Sequence, residues 1–137
     1  YVLANIPTFI EKNAYNAVES YAVPVDGKIA TTFTFNKGGF DGKKKTYRPT
    51  GFVREGSGNA VWGMQFVWPI KAEYRIVYVD QDYGVTIIGR SKRDYVWIMA
   101  RQPAIAPLEY QRLVQIIAEE GYDTSKLRLV PQQSNRQ

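Results

Sequence analysis

From Ala17 to Phe66 the chain is a succession of short runs in which apolar and polar residues alternate, each closed by glycine, proline or Asp-Gly. Alternation with period two sends successive side chains to opposite faces of a strand, and turns at this spacing return the chain antiparallel. Asp26-Gly27 separates a run from Val18 to Val25 from one spanning Ile29 to Phe35, and both turn residues tolerate the positive φ that a two-residue hairpin demands. Gly38-Gly39 and Gly42 lead into Thr46 to Val53, and Gly56-Ser57-Gly58-Asn59 into Ala60 to Trp68. Beyond Pro69 lie Tyr74 to Val79, Gly84 to Gly89 and Tyr95 to Arg101. With a first strand opening at Tyr1-Val2-Leu3-Ala4, the pattern predicts eight strands.

The period then changes. Between Pro107 and Glu120, Tyr110, Leu113, Val114 and Ile117 recur at helical spacing with Ile116 beside them, and proline at the first turn and Gly121 past the end punctuate a helix. Ala106, at the N-cap position, offers no capping oxygen. A short strand is expected from Leu127 to Val130, and a disordered tail from Gln132 to Gln137. Eight strands in up-and-down order remove their edges by closing on themselves, with room inside for one small ligand. The expected fold is therefore all-β with one C-terminal helix: an eight-stranded antiparallel up-and-down β-barrel, residues 1–131, with the helix packed outside.

The 137 residues contain neither cysteine nor histidine. That excludes thiolate and imidazole chemistry, disulfides, thiol-ligated metal and a histidine pH switch. No metal or cofactor is expected, and no catalytic residue. The net charge of +5 suits anionic surfaces, but part of it is the Lys43-Lys44-Lys45 run in a glycine-rich turn, which reads as a solvated loop. No apolar stretch approaches the roughly 20 residues of a membrane-spanning helix.

A family resemblance enters in the C-terminal half. Tyr74-Arg75-Ile76-Val77-Tyr78-Val79-Asp80-Gln81-Asp82-Tyr83, succeeded by Asp94-Tyr95-Val96-Trp97-Ile98-Met99-Ala100-Arg101, resembles the second and third signature regions of the lipocalins. Gln102-Pro103, the helix and the segment from Gly121 to Leu127 continue the similarity, which is nearest to the bacterial outer-membrane lipoprotein lipocalins and apolipoprotein D. The first signature, a Gly-x-Trp-Tyr strand, is represented only from Tyr1 onward, with Ile6-Pro7-Thr8-Phe9-Ile10-Glu11 resembling the segment immediately after that strand. The chain is thus expected to begin inside its first strand. The resemblance implies a lipocalin calyx in which Arg101 is the structural plug that stacks on the signature tryptophan.

Alternation turns Trp62, Met64, Phe66 and Trp68 to one face, with Ile29, Phe33 and Phe35 joining from the third strand and Tyr95, Trp97 and Met99 from the last. These side chains fit a filled core as well as a cavity lining. The resemblance favours the cavity and places Trp97 beside bound lipid. Lys71 and Arg48 are the rim candidates for a carboxylate or phosphate. The implied function is binding, storage or transport of a fatty acid, lysophospholipid or similar amphipathic lipid. The resemblance also implies a lipoprotein on the periplasmic side of the bacterial outer membrane, held by a lipidated cysteine that is not in this sequence, and it leaves room for a homodimer. Two rival readings are a basic barrel stacking single-stranded nucleic acid and a lipocalin-type enzyme acting on a lipid. No nucleic-acid partner is expected, because the aromatics alternate onto the inward face. Enzyme chemistry is not expected either, because no carboxylate pair falls within the predicted cavity: Asp80 and Asp82 sit in a turn, where such acids bond local backbone.

Overall fold

The computed structural model describes residues 1–8, 11–58, 60–67 and 70–133, without the side chains of residues 66, 67, 70 and 71. Its strands are β1 (Val2–Ile6), β2 (Ala14–Tyr21), β3 (Lys28–Lys37), β4 (Lys44–Tyr47), β5 (Thr50–Val53), β6 (Val61–Val67), β7 (Ile70–Val79), β8 (Val85–Gly89), β9 (Val96–Ala100) and β10 (Arg128–Leu129). One helix, α1 (Pro107–Glu119), lies between β9 and β10. All pairings are antiparallel, in the order β10-β1-β9-β8-β7-β6-β5-β3-β2, with β4 on β3. This is the expected up-and-down barrel. The strand expected from Thr46 to Val53 is divided at Arg48-Pro49, because proline has no N–H to continue the ladder. Its first part pairs the upper half of β3 and its second part the lower half.

The ends of this sheet, β1 and β2, are joined by the C-terminal segment. Val130 N–H donates to Leu3 O and Asn16 N–H to Pro131 O, at 2.9 and 2.8 Å. Gln132 Nε2 donates to Val2 O on β1 and Ala17 O on β2, at 2.8 and 2.9 Å. Gln132 and Gln133, read from the sequence as tail, are thus bonded into the barrel, and residues 134–137 lie outside the described ones. Asn16, at φ +51°, sits at a register shift in β2, so that Ala14 and Ala17 both reach the interior. The Asp26-Gly27 hairpin forms as expected, with both residues at positive φ and Val25 and Lys28 exchanging hydrogen bonds.

Two apolar clusters share the sheet. Inside the barrel lie Val2, Ala17, Phe33, Phe35, Met64, Tyr74, Ile88 and Met99. Outside it, Leu3, Ile87, Val96 and Ile98 pack against Leu113 and Ile117 of α1. The helix has no side-chain cap at Ala106. It ends in a Schellman motif: Gly121 has φ +92°, its N–H bonds Ala118 O, and Tyr122 N–H bonds Ile117 O.

Tyr122 ties this helix end to the barrel. Its hydroxyl accepts from Arg90 N and donates to Arg90 O, at 3.0 and 3.1 Å, directly over Gly89. A Cβ on Gly89 would collide with that hydroxyl oxygen. Gly89→Ala is therefore expected to cost about 2 to 3 kcal/mol in urea denaturation. Adding Tyr122→Phe to it should cost less than the sum of the single changes, because both disrupt one contact.

Candidate functional site

Four connections gather at one end of the barrel: the β1–β2 loop, the β3–β4 turn, the β6–β7 connection and the β8–β9 loop. Beneath them is a cavity of about 220 Å³ lined by Thr8, Glu11, Glu19, Phe33, Met64, Ala72, Glu73, Tyr74, Arg90, Tyr95 and Trp97. Alternation on β9 divides that strand between two tasks: Trp97 and Met99 face inward, and Val96 and Ile98 face the helix.

The inward set read from the sequence largely comes together here. Phe33, Met64, Tyr95 and Trp97 line the cavity, and Phe35, Trp62 and Met99 belong to the same interior cluster. Ile29 is buried further along β3, beside Gly51. Trp68 lies outside the described residues, and so do the side chains of Phe66 and Lys71. Arg48 is exposed where β4 ends, away from the cavity lining, because the break at Pro49 turns the chain outward there. Arg101 is also exposed, its Nε donating to Tyr83 O at 2.7 Å. Among the described residues, the charged ones that line the cavity are Arg90, Glu73, Glu11 and Glu19.

The wall is aromatic. Trp62 stacks on Tyr74 with centroids 5.4 Å apart, Tyr74 on Trp97 at 6.0 Å, and Trp97 leans on Tyr95 at 6.5 Å. Tyr21 meets Trp62 edge-on at 5.5 Å, and its hydroxyl bonds that of Tyr74. The Arg90 guanidinium lies over the Tyr95 ring at 5.4 Å and 3.6 Å from the Asp94 carboxylate.

The sequence-level expectation that no carboxylate pair stands in the cavity is overturned. Glu11 is 4% exposed, accepts from Trp97 Nε1 at 2.7 Å and from Thr8 N at 3.1 Å, and burial pushes its carboxyl up from the ordinary range. Glu19 lies between Ala17 and Tyr21 on the inward face of β2, opposite Phe33. Burial first, and then the neighbouring Glu11 charge, push its carboxyl up to about 8, while the Tyr21 and Tyr74 hydroxyls hold back the rise. Among the described residues neither acid has a cation at ion-pair distance. Asn5 adds to this polar interior: it is in register with Trp97, hence on the same face, fully buried, and neither amide atom has a hydrogen-bond partner among the described residues. By contrast, Asp80 does what a turn acid is expected to do, accepting from Gly84 N at 2.7 Å.

An antiparallel sheet curled into a barrel, with a helix on its outer face and a mostly apolar cavity opening at one end, has the form of a small-molecule-binding barrel. Comparison with known proteins narrows the class. The lipocalin-like domain family matches residues 1–132. Temperature-induced lipocalin-1 of Arabidopsis thaliana is 30% identical over 96% of this chain and 74% of its own length. Outer membrane lipoprotein Blc of Escherichia coli K12 is 27% identical over 77% of this chain and 66% of its own. Lobster apocrustacyanin A1 has a similar fold at TM-score 0.75 and 12% identity, covering 98% of this chain and 76% of that one. The chain belongs to the lipocalin family, whose members bind or transport small hydrophobic ligands.

Proposed function

We propose that this lipocalin binds and carries a single-chain amphiphile, with fatty acids and lysophospholipids as the leading classes, and performs no catalysis on it. The observation that supports this reading is the cavity of about 220 Å³ between Phe33, Met64, Tyr74 and Trp97. Burying a chain there is worth roughly 0.8 kcal/mol per methylene before association costs. The cavity falls short of the roughly 300 Å³ at the small end of drug-sized pockets, so a long chain needs side chains to shift or protrudes from the mouth. Two acids inside disfavour an anionic head there, so a carboxylate or phosphate belongs at the mouth, where Arg90 lines the cavity. Arg101 keeps the plug role as a proposal, at the end of β9 where its Nε donates to Tyr83 O.

The relationship to outer membrane lipoproteins supports a place on the periplasmic side of a bacterial outer membrane, as a proposal tested by fractionating cells that express the full-length protein. The function itself is tested by native mass spectrometry of the purified protein with extraction of whatever it carries, and by titrating lysophospholipid against tryptophan fluorescence. A co-purified single-chain lipid and quenching of Trp97, absent in Trp97→Phe, are the expected results. An empty protein indifferent to every lipid would overturn the reading. Steeply salt-dependent oligonucleotide binding would favour the nucleic-acid alternative instead.

A further inference from the structure

Two carboxyls, an orphaned amide and a wall of aromatic faces make an unusual interior for a carrier of plain hydrocarbon. An apolar tail in contact with Glu11 and Glu19 adds no opposite charge to the hydrogen bonds these acids already receive, whereas burying a charged group is tolerated when an opposite charge meets it. The neighbours that bear charge act on these acids without reaching ion-pair distance of either one among the described residues. The Arg128 guanidinium near Glu11 donates to the backbone oxygens of Glu11 and Ala14, at 3.4 and 3.3 Å, and is the last of the influences that draw the Glu11 carboxyl down, while Arg90 at the mouth faces Asp94 and Tyr95. Around Glu19 stand Glu11 from the β1–β2 loop, Tyr21 from its own strand and Tyr74 from β7, and the amino group of Tyr1 acts on it from β1. That amino group itself donates to Ala100 O at 2.8 Å. Tyr74, Trp97 and Tyr95 line the same space, and aromatic side chains attract cations, quaternary ammonium groups above all.

We propose that the inner part of the cavity is a subsite for an organic cation, an amine or quaternary ammonium group on a short apolar chain, seated between the Glu11 and Glu19 carboxyls and against the rings of Trp97 and Tyr74. This rests on the carrier reading and names the chemistry its ligand presents inside the barrel. Within that reading it favours single-chain amphiphiles whose head carries a cationic group, as some lysophospholipid heads do, over the fatty-acid class. Binding the cation favours the ionised form of Glu19, whose carboxyl is pushed up to about 8, so binding near neutrality is accompanied by proton release.

The test uses three probes of equal chain length, octyltrimethylammonium, octanol and octanoate, titrated against tryptophan fluorescence at pH 5.5 and pH 8.5. At pH 8.5 the ammonium probe is expected to bind at least tenfold more tightly than octanol, with octanoate weakest, and the preference should shrink severalfold at pH 5.5. Glu19→Gln and Glu11→Gln, which keep shape while removing charge, should each cut the ammonium preference without weakening octanol. Calorimetry at pH 7 in two buffers of different ionisation enthalpy should show proton release on binding the ammonium probe and none with octanol. Octanol or octanoate binding as tightly as the ammonium, or a preference unchanged in the double variant, overturns the subsite and leaves the carrier reading standing. Failure of all three probes and of lysophospholipid overturns both.

Discussion

Raising the pH from 4.5 to about 9 is expected to lower folding stability by an amount on the order of 5 kcal/mol, and Glu19→Gln to remove most of that loss. In the unfolded chain Glu19 gives up its proton near 4.5, whereas in the barrel it holds the proton up to about 8. Across this window the folded state binds more protons than the unfolded state, so stability falls as pH rises and levels off above the folded value. Glu11 is displaced in the same direction by its own burial and adds to the slope. Glu73 works the other way, held low first by the Ser91 backbone N–H, and its contribution is lost only as pH falls below 4.5. Tyr21 and Tyr74 are pushed up by burial from the ordinary tyrosine value and titrate above the window. Urea denaturation at half-unit steps between pH 5 and pH 9 measures the slope directly. A wild-type curve that is flat, or that rises through neutrality, would show that Glu19 is ionised in the folded protein without cost.

The same residue shows what the sequence conceals. Alternation sorts β3, β6 and β9 correctly because one face of each carries Phe, Met or Trp, and hydropathy alone then says which way it points. On β2 it does not. Ala17, Glu19 and Tyr21 alternate with Val18, Ser20 and Ala22, and a glutamate on a strand is ordinarily assigned to solvent. The bulge at Asn16 further breaks the count that would have carried the register in from Ala14. Glu11 sits in a loop, where no period exists, and only its position near the aromatic strand β9 in three dimensions brings it to Trp97. Arg90 escapes for a similar reason: the β8–β9 loop reads as a run of polar residues, and the fold alone decides which of them leans over the mouth. The helix, its bare N-cap and its glycine stop were legible because their rules are local.

The sheet therefore separates two jobs across the thickness of one strand. On β8 and β9 the residues that hold the helix alternate with those that hold the interior, so stability from α1 and binding in the cavity are carried by different side chains of the same backbone. An isolated helix of 13 residues without a side-chain cap is marginal in water, so α1 exists because Leu113 and Ile117 are buried against Leu3, Ile87, Val96 and Ile98.

Ile117→Ala is consequently expected to cost about 4 kcal/mol, near the upper part of the range for emptying a fully buried aliphatic position. The size reflects position. Ile117 is 0% exposed, and its carbonyl accepts the Tyr122 N–H that closes the helix. Loss of its side chain leaves a void under the same turn that presses Tyr122 onto Gly89. The neighbouring turn cannot collapse into that void without pulling the Tyr122 hydroxyl off the Arg90 backbone, which is why the loss exceeds the transfer free energy of the missing carbons. Exposed Leu108 on the same helix, 79% accessible, provides the contrast, and Leu108→Ala should change stability by less than about 0.5 kcal/mol. Denaturant midpoints of the two variants measure this difference. The folded fraction of Ile117→Ala should still bind the octyl probes with wild-type preference, because Trp97 and Met99 face away from the helix. An equal loss of stability and of probe selectivity would mean that the two faces of the sheet are not mechanically separate.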